Sequence, residues 1–343
     1  MKLHFTRTNG PVDDVIDQLM SLVDSITYPD IVREMIIAAL KAGSEGYSRA
    51  DLRLMNTTLK EMRFTAKIFG PYQNVRKVTV FGSARTSPEE PVYQIARGFG
   101  KRLAEEGYMV ITGGGPGIMQ AVNEGAGPEH SFGVNILLPF EQKPNPVLLD
   151  NPRLITYKYF FNRKVAFVKE ADAIALFPGG FGTLDEAMET LTLVQTGKHS
   201  PMPLVLIDEP GGSYWSKWLG FFEGELLRQG YISRNDFRIF ERVDSIDMAV
   251  QQIKHFYSRY HSLRYVGEKL IIRLHSPLPD KAVAELTRRF AEILTPGGTI
   301  SLSDSLPQEA DEPHIVGLPR LVIDFNRKDF GLLRSLIDAI NGF

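Results

Sequence analysis

The sequence contains no cysteine, which excludes disulfide bonds, thiolate nucleophiles and cysteine metal ligands. The 343 residues include 39 basic and 41 acidic side chains, and a net charge of −2 offers no global attraction to nucleic acid or to an anionic membrane. No stretch reaches the roughly 18 consecutive apolar residues that cross a bilayer. We therefore expect a cytoplasmic protein without a nucleic-acid or membrane partner.

Residues suited to metal or cofactor chemistry are also scarce. The 7 histidines are scattered along the chain and show no ligand spacing such as H-E-x-x-H. No lysine is singled out as a Schiff-base partner for pyridoxal phosphate, which an amino-acid decarboxylase would normally need. The sequence thus predicts no metal and no cofactor.

Apolar residues in the N-terminal region follow a helical period. Val15, Leu19, Leu22 and Ile26 recur at helical steps, and a second helical pattern runs from Leu52 onward behind the capping sequence that begins at Ser48. We interpret residues 1–74 as a helical segment, and it carries no catalytic constellation.

From about Val75 short apolar runs alternate with helical patterns. Parallel strands covered on both faces read as continuous apolar runs, so the pattern predicts a doubly wound, mainly parallel Rossmann-like α/β sheet over residues 75–260. Ligands bind at the carboxyl ends of such strands. The predicted strands are Lys77–Phe81, Tyr108–Thr112, Val134–Leu138, Ala173–Phe177 and Pro203–Ile207, with helices predicted over 92–106, 118–125 and 183–196.

Residues 261–343 predict a small α+β module without a catalytic signature. Strands are expected at 269–274 and 320–325, and helices at 283–293 and 330–340. The stretch 294–318 is expected to be mostly loop with one short strand at most. A regulatory role for this module is a hypothesis.

Two glycine-rich segments follow the first two predicted strands. Gly82-Ser83-Ala84-Arg85 could hold an anion through its amides, the serine hydroxyl and the arginine, although an ordinary tight turn explains the glycine equally well. Gly113-Gly114-Gly115-Pro116-Gly117 allows close backbone approach to a ligand. It departs from the dinucleotide fingerprint G-x-G-x-x-G because Ile118 holds the sixth position, which disfavours an oxidoreductase.

The third segment, Pro178-Gly179-Gly180-Phe181-Gly182-Thr183-Leu184-Asp185-Glu186, joins the fourth strand to a helix expected to begin near Thr183. Unpaired amides at a helix start attract phosphate, yet two carboxylates stand in the same turn. One alternative is a capping box in which Glu186 only bonds the backbone of Thr183. Upstream, Arg163 lies off the apolar stripe of a predicted helix over 159–168, which would also suit a solvated surface arginine.

Asn162-Arg163-Lys164 followed by the Pro178–Glu186 segment resembles the signature of the Lonely Guy family. These phosphoribohydrolases, often labelled lysine decarboxylases, release cytokinin or other nucleobases from nucleoside monophosphates. The two earlier glycine segments fit the same pattern, so the resemblance covers roughly residues 75–260 and is closer to the longer bacterial branch. It implies hydrolysis of an N-glycosidic bond, with a purine monophosphate such as AMP as substrate, by a homodimer or higher homo-oligomer.

In the family an arginine and the last glutamate of the glycine motif form the catalytic pair, which implies Arg163 and Glu186 here. Asp185 stands where the family commonly has glutamate. The alternative function is a nucleotide-binding sensor without turnover. The candidate substrate-binding residues, from the glycine segments and the resemblance together, are Gly82, Ser83, Arg85, Gly113, Gly114, Gly115, Lys164, Gly179, Gly180, Phe181, Gly182, Thr183, Leu184, Asp185 and Thr192.

Overall fold

The computed structural model describes residues 7–138 and 143–343. The first six residues of the predicted 1–74 segment therefore lie outside the described residues. The chain divides into two compact units, Met1–Phe64 and Thr65–Phe343. No helix in the described ranges combines the length and apolarity needed to cross a membrane.

The first unit is helical, as its apolar spacing predicts. Its helices are α1 (Pro11–Ser21), α2 (Pro29–Ser44) and the first part of α3 (Arg49–Phe69). Proline opens α1 and α2, where the missing amide hydrogen costs nothing. Buried Asp13 of α1 forms an ion pair with buried Arg33 of α2. Ile16 of α1 and Ile37 of α2 are also buried.

The second unit contains a seven-stranded sheet in the order β4-β3-β2-β1-β5-β6-β7, with parallel pairing throughout. Val78 on the central strand pairs with Val110 on one side and Ala173 on the other. The strands are β1 (Lys77–Phe81), β2 (Met109–Thr112), β3 (Ser131–Ile136), β4 (Leu154–Tyr157), β5 (Ala173–Leu176), β6 (Leu204–Ile207) and β7 (Glu241–Val243).

Helices connect the strands and bury their apolar faces, because a parallel pair needs a crossover connection. Val78, Val80 and Val110 are fully buried within this core. The helices are α4 (Pro91–Glu105), α5 (Ile118–Ala126), α6 (Phe160–Lys169), α7 (Phe181–Gln195), α8 (Tyr214–Phe221) and α9 (Ile246–Phe256), and a π-helical turn, Phe222–Leu227, follows α8.

The predicted parallel sheet is confirmed, with corrections at its margins. The strand expected at Val134–Leu138 runs from Ser131 to Ile136. Edge strands β4 and β7 were not predicted from the sequence. Each has only three or four residues and an incompletely buried pattern, so neither gives the continuous apolar run by which the other strands are recognised.

Strand order places a crevice beside β1. The chain moves outward from β1 through β2, β3 and β4 on one side and then returns to β5 on the other side of β1. Loops leaving β1 and β5 therefore diverge at their carboxyl ends, which is where open α/β sheets bind ligands.

The C-terminal part forms a second, antiparallel sheet in the order β10-β11-β9-β8, which shares a core with two helices. Its two predicted strands and its last helix are confirmed. The helix expected at 283–293 instead runs from Asp280 to Arg289, and β8 is an addition. Arg334 of its last helix is buried and donates to the carbonyl of Met202, 3.2 Å away. Both sheets fall in one compact unit, so a boundary near residue 260 stays a prediction. The elements are β8 (Tyr260–Val266), β9 (Lys269–Leu274), α10 (Asp280–Arg289), β10 (Ile300–Ser303), β11 (Arg320–Ile323) and α11 (Phe330–Asn341).

Candidate active site

A cavity of about 790 Å³ opens at the carboxyl ends of β1, β2 and β5. Its volume suits a small organic ligand. It brings together most of the residues proposed from the sequence. Those lining it are Gly82, Ser83, Arg85, Gly113, Arg163, Gly179, Gly180, Phe181, Gly182, Thr183, Leu184 and Glu186, and the fold adds Phe81, Ala84, Met119, Phe160 and Phe167.

Helix α7 begins at Phe181, two residues before the predicted start, with Gly180 as its N-cap. The amides of Thr183 and Leu184 both donate to the carbonyl of Gly180, at 3.1 and 3.2 Å. Within residues 7–138 and 143–343 the amides of Phe181 and Gly182 have no acceptor, as expected for a first helical turn. The N-terminus of α7 therefore presents two free donors and a positive helix dipole to the cavity.

The alternative of a capping box between Thr183 and Glu186 does not hold. The helix start carries no side-chain cap, and Thr183 already lies inside the first turn. The carboxylate of Glu186 is consequently available for another role.

The first and third glycine segments are in direct contact. The amide of Ser83 donates to the carbonyl of Pro178 at 3.1 Å, and a Cβ on Gly179 would collide with the Thr183 side chain. The hydroxyl of Tyr214 on α8 donates to the carbonyl of Gly179 at 2.6 Å. These contacts fix the loop before α7, and nothing in the sequence pattern pointed to Tyr214.

Glu186 is a buried carboxylate on the cavity wall. Its side chain is 6% exposed, and Oε2 is buried without a hydrogen-bond partner among the described residues. Oε1 lies 3.6 Å from Nζ of Lys164. Burial raises the pKa of Glu186 to about 7, although the positive charge of Lys164 acts to lower it. The group can thus change protonation state near neutral pH.

Arg163 on α6 reaches the same cavity. Its Nε donates to the carbonyl of Val134 on β3 at 2.8 Å, and its guanidinium lies over the ring of Phe167 at 4.9 Å from the centroid. Burial lowers its pKa to about 10, and the charge of Glu186 opposes that shift. The arginine remains a cation at neutral pH and is held on the cavity wall.

The apolar stripe predicted for this helix, Phe161, Val165 and Val168, is buried only at Val168. Phe161 and Val165 are each 48% exposed, whereas Asn162, Ala166 and Phe167 are buried. The helix is therefore rotated relative to its apolar pattern, which turns Arg163 toward the sheet. The alternative of a solvated surface arginine is wrong.

Lys164 does not line the cavity and instead lies among carboxylates of α7. Its Nζ is 2.8 Å from Asp185 and 2.7 Å from Glu189. Burial tends to lower the pKa of Lys164, but its contacts with these carboxylates and Glu186 raise the pKa overall. The sequence analysis missed Glu189, although it lies one helical turn beyond Asp185 and Glu186 and so shares their face.

Four further candidates lie away from the cavity. The carbonyls of Gly114 and Gly115 are engaged by Asn145, whose amide and side chain donate at 2.8 and 3.1 Å. Thr192 is exposed and lines a separate, mostly apolar cleft with Met188 and Phe222. Asp185 points to Lys164. In the part of the chain that the structure describes, no group of three or more histidine or acidic side chains is arranged to hold a metal ion.

A family model described as "Possible lysine decarboxylase" matches residues 118–253, a range that contains α6, β5 and α7. Several similar proteins are named phosphoribohydrolases, and one of these is bacterial. The resemblance to the Lonely Guy family is confirmed for this part of the chain. The Lonely Guy match includes both Arg163 and Glu186.

Curated Lonely Guy relatives share modest identity with the chain. Cytokinin riboside 5′-monophosphate phosphoribohydrolase LOG of Oryza sativa subsp. japonica is 27% identical over 191 residues, which are 54% of this chain and 75% of the relative. The protein named cytokinin riboside 5′-monophosphate phosphoribohydrolase in Mycobacterium marinum is 29% identical over 172 residues, 49% of this chain and 88% of the relative. These names support membership of an enzyme family of the nucleotide N-glycosidase type.

Solved structures similar to part of this chain include the X-ray structure of TM1055. It has 26% identity and a TM-score of 0.39, and the match covers 52% of this chain and 99% of that chain. The molybdenum cofactor carrier protein of Chlamydomonas reinhardtii has 17% identity and a TM-score of 0.38, with 52% of this chain and 96% of that chain covered.

Proposed function

We propose that this protein hydrolyses the N-glycosidic bond of nucleoside 5′-monophosphates to a free base and ribose 5-phosphate. The observation that carries the proposal is the position of Glu186. This buried carboxylate shares a cavity with the amides that begin α7, and among the described residues one of its oxygens and both of those amides have no hydrogen-bond partner. A helix start suited to anion binding fits the phosphate of the substrate, and a carboxylate in the same cavity fits the positive charge of the transition state.

The N-terminus of α7 would hold the substrate's phosphate. The amides of Phe181 and Gly182 supply donors, and the helix dipole favours negative charge at this position. Ser83 and Arg85 line the same cavity from the loop after β1 and add a hydroxyl and a cation. Binding by the phosphate would place the sugar along the cavity wall that contains Glu186.

Glu186 in its charged form would stabilise the oxocarbenium-like transition state at the anomeric carbon and orient the attacking water. The water oxygen forms the new bond to that carbon as the carbon–nitrogen bond breaks. The bond electrons leave with the base, which takes up a proton, and the remaining hydroxyl stays on ribose 5-phosphate. Arg163, a cation on the same wall, would orient Glu186 or favour departure of the base.

We propose that the working enzyme is a homodimer or a higher homo-oligomer. Phe161 and Val165 on α6, with Met188 on α7, leave a large apolar area exposed, and Phe181 at the start of α7 is 95% exposed. Phe181 lines the cavity, and Phe161 and Val165 belong to the helix that supplies Phe160 and Arg163 to its wall, so a second copy of the chain packed here would also shield the site from water. A cytoplasmic location stays an expectation.

Chromatography of purified protein incubated with a panel of nucleoside monophosphates tests the function. The panel includes AMP and a cytokinin riboside 5′-monophosphate, and release of both base and ribose 5-phosphate is the expected result. Glu186→Gln should abolish release, whereas Glu285→Gln, an exposed control on α10, should retain full activity. Nucleotide binding without release by the unaltered protein would contradict hydrolysis and support the sensor alternative.

A further inference from the structure

Lys164 lies within 4 Å of three carboxylates on one face of α7. Its Nζ is 2.7 Å from Glu189, 2.8 Å from Asp185 and 3.6 Å from Glu186. The lysine side chain is 18% exposed, Glu189 is 32% exposed, and Glu186 is 6% exposed. The two shorter contacts are within hydrogen-bonding distance, whereas the contact to Glu186 is not.

We propose that Glu189 is a positioning residue for the proposed reaction: it engages the ammonium of Lys164 and so restrains it from bonding Glu186 directly. The inference rests on the proposed function, in which Glu186 acts at the anomeric carbon. The family resemblance implies that Lys164 binds the substrate. In this proposal Lys164 is instead the counter-ion of the catalytic carboxylate. Glu189 determines how strongly that counter-ion acts.

The geometry gives Glu189 two effects on Glu186, and both raise the pKa of that carboxyl. An ammonium has three donors, and Asp185 and Glu189 engage two of them, which restrains Nζ from a closer approach to Glu186. The negative charge of Glu189 also lies close to Glu186 and disfavours the charged form of the Glu186 carboxyl. Both effects oppose ionisation of Glu186, and its pKa is raised accordingly, with burial as the largest cause.

Other charges that face Glu186 would stay unchanged in the test. Arg163 approaches from α6, Asp185 stands beside it on α7, and Arg85 lines the cavity from the loop after β1. Removal of the Glu189 charge should therefore lower the pKa of Glu186. Removal of the Lys164 charge should raise it, because the nearest cation is lost.

The experiment compares the pH dependence of kcat/KM for the unaltered enzyme, Glu189→Gln and Lys164→Met, with AMP as the first substrate. The acid limb should move down by about one pH unit in Glu189→Gln and up by about one in Lys164→Met. If these residues act only in packing, both variants should lose activity, but their acid limbs should not move in opposite directions. Glu285→Gln, on α10, is the control and should keep the limb of the unaltered enzyme.

A second readout separates this inference from the proposed function. Glutamate carboxyl carbons labelled with ¹³C are titrated by NMR, and the signal of Glu186 is identified by its loss in Glu186→Gln. If no monophosphate is hydrolysed, the proposed function fails, yet the titration still reports whether Glu189 governs the charge of Glu186. An unchanged Glu186 midpoint in folded Glu189→Gln overturns the inference, and Glu189→Ala repeats the measurement if the glutamine variant does not fold.

Discussion

The guanidinium of Arg163 lies where a side chain on Gly113 would be. A Cβ built on Gly113 comes within 2.5 Å of Nη2 of Arg163, closer than real Cβ atoms approach a neighbour. Gly113 of the second glycine segment thus leaves space for the arginine. The other two glycines, Gly114 and Gly115, accept hydrogen bonds from Asn145.

Gly113→Ala should therefore displace Arg163 and reduce kcat by about 100-fold, because misplacement by about 1 Å has that scale of effect. Steady-state kinetics measures the loss, and thermal unfolding checks that the fold is retained. Gly220→Ala is the matched control: a Cβ there meets nothing within 4 Å, and alanine is favourable within α8. Equal activity of both variants would contradict the positioning role of Gly113.

The pH dependence of the reaction should follow the ionisation of Glu186. Burial raises the pKa of this carboxyl to about 7, and only its charged form stabilises an oxocarbenium-like state. Below pH 7 the charged fraction falls, so kcat/KM should decline about tenfold for each pH unit. A rate that stays level from pH 7 to pH 5 would show that the ionisation of Glu186 does not limit the reaction.

The apolar surface of α6 should govern oligomer size. Replacement of Phe161 and Val165 by aspartate places charges on side chains that are now 48% exposed and should convert the oligomer to a monomer. Light scattering after size-exclusion chromatography measures the mass. Val316→Asp, a charge at another exposed apolar position, should leave the mass unchanged. A monomeric unaltered protein would contradict the proposed assembly.

A buried ion cluster should stabilise the C-terminal sheet. Glu309 is 1% exposed and accepts from Nε of Arg273 at 2.8 Å and from Nε of Arg320 at 3.2 Å. Glu309→Gln leaves the buried charge of Arg320 without a carboxylate partner, whereas Arg273 keeps its ion pair with Glu312, and should lower the free energy of unfolding by about 3 kcal/mol. Urea denaturation measures the change, with Glu285→Gln as the exposed control. A loss below about 1 kcal/mol would contradict a stabilising role for the cluster.

Local sequence was sufficient for the main elements of the sheet. Residues 204–207 are recognisable because a strand buried on both faces forms a continuous apolar run, and residues 77–81 are mostly apolar although Lys77 and Thr79 are buried among them. Edge strands β4 and β7 have no such requirement, and their short, mixed sequences resemble loops. Likewise, the apolar spacing of α6 predicted the wrong buried face, because exposed Phe161 and Val165 obey the same helical period as a core.

The sequence by itself determined which residues could bind an anion and supply a carboxylate, since each glycine segment directly follows a predicted strand and Glu186 belongs to the third segment. Only the tertiary structure decided that Arg163 reaches the cavity, that Thr192, Gly114 and Gly115 do not, and that Lys164 pairs with Glu189. Contacts of this kind join residues on different elements, and their distances depend on strand order and helix rotation. The electrostatic environment of Glu186 has the same origin, because burial and neighbouring charges exist only after the chain has packed.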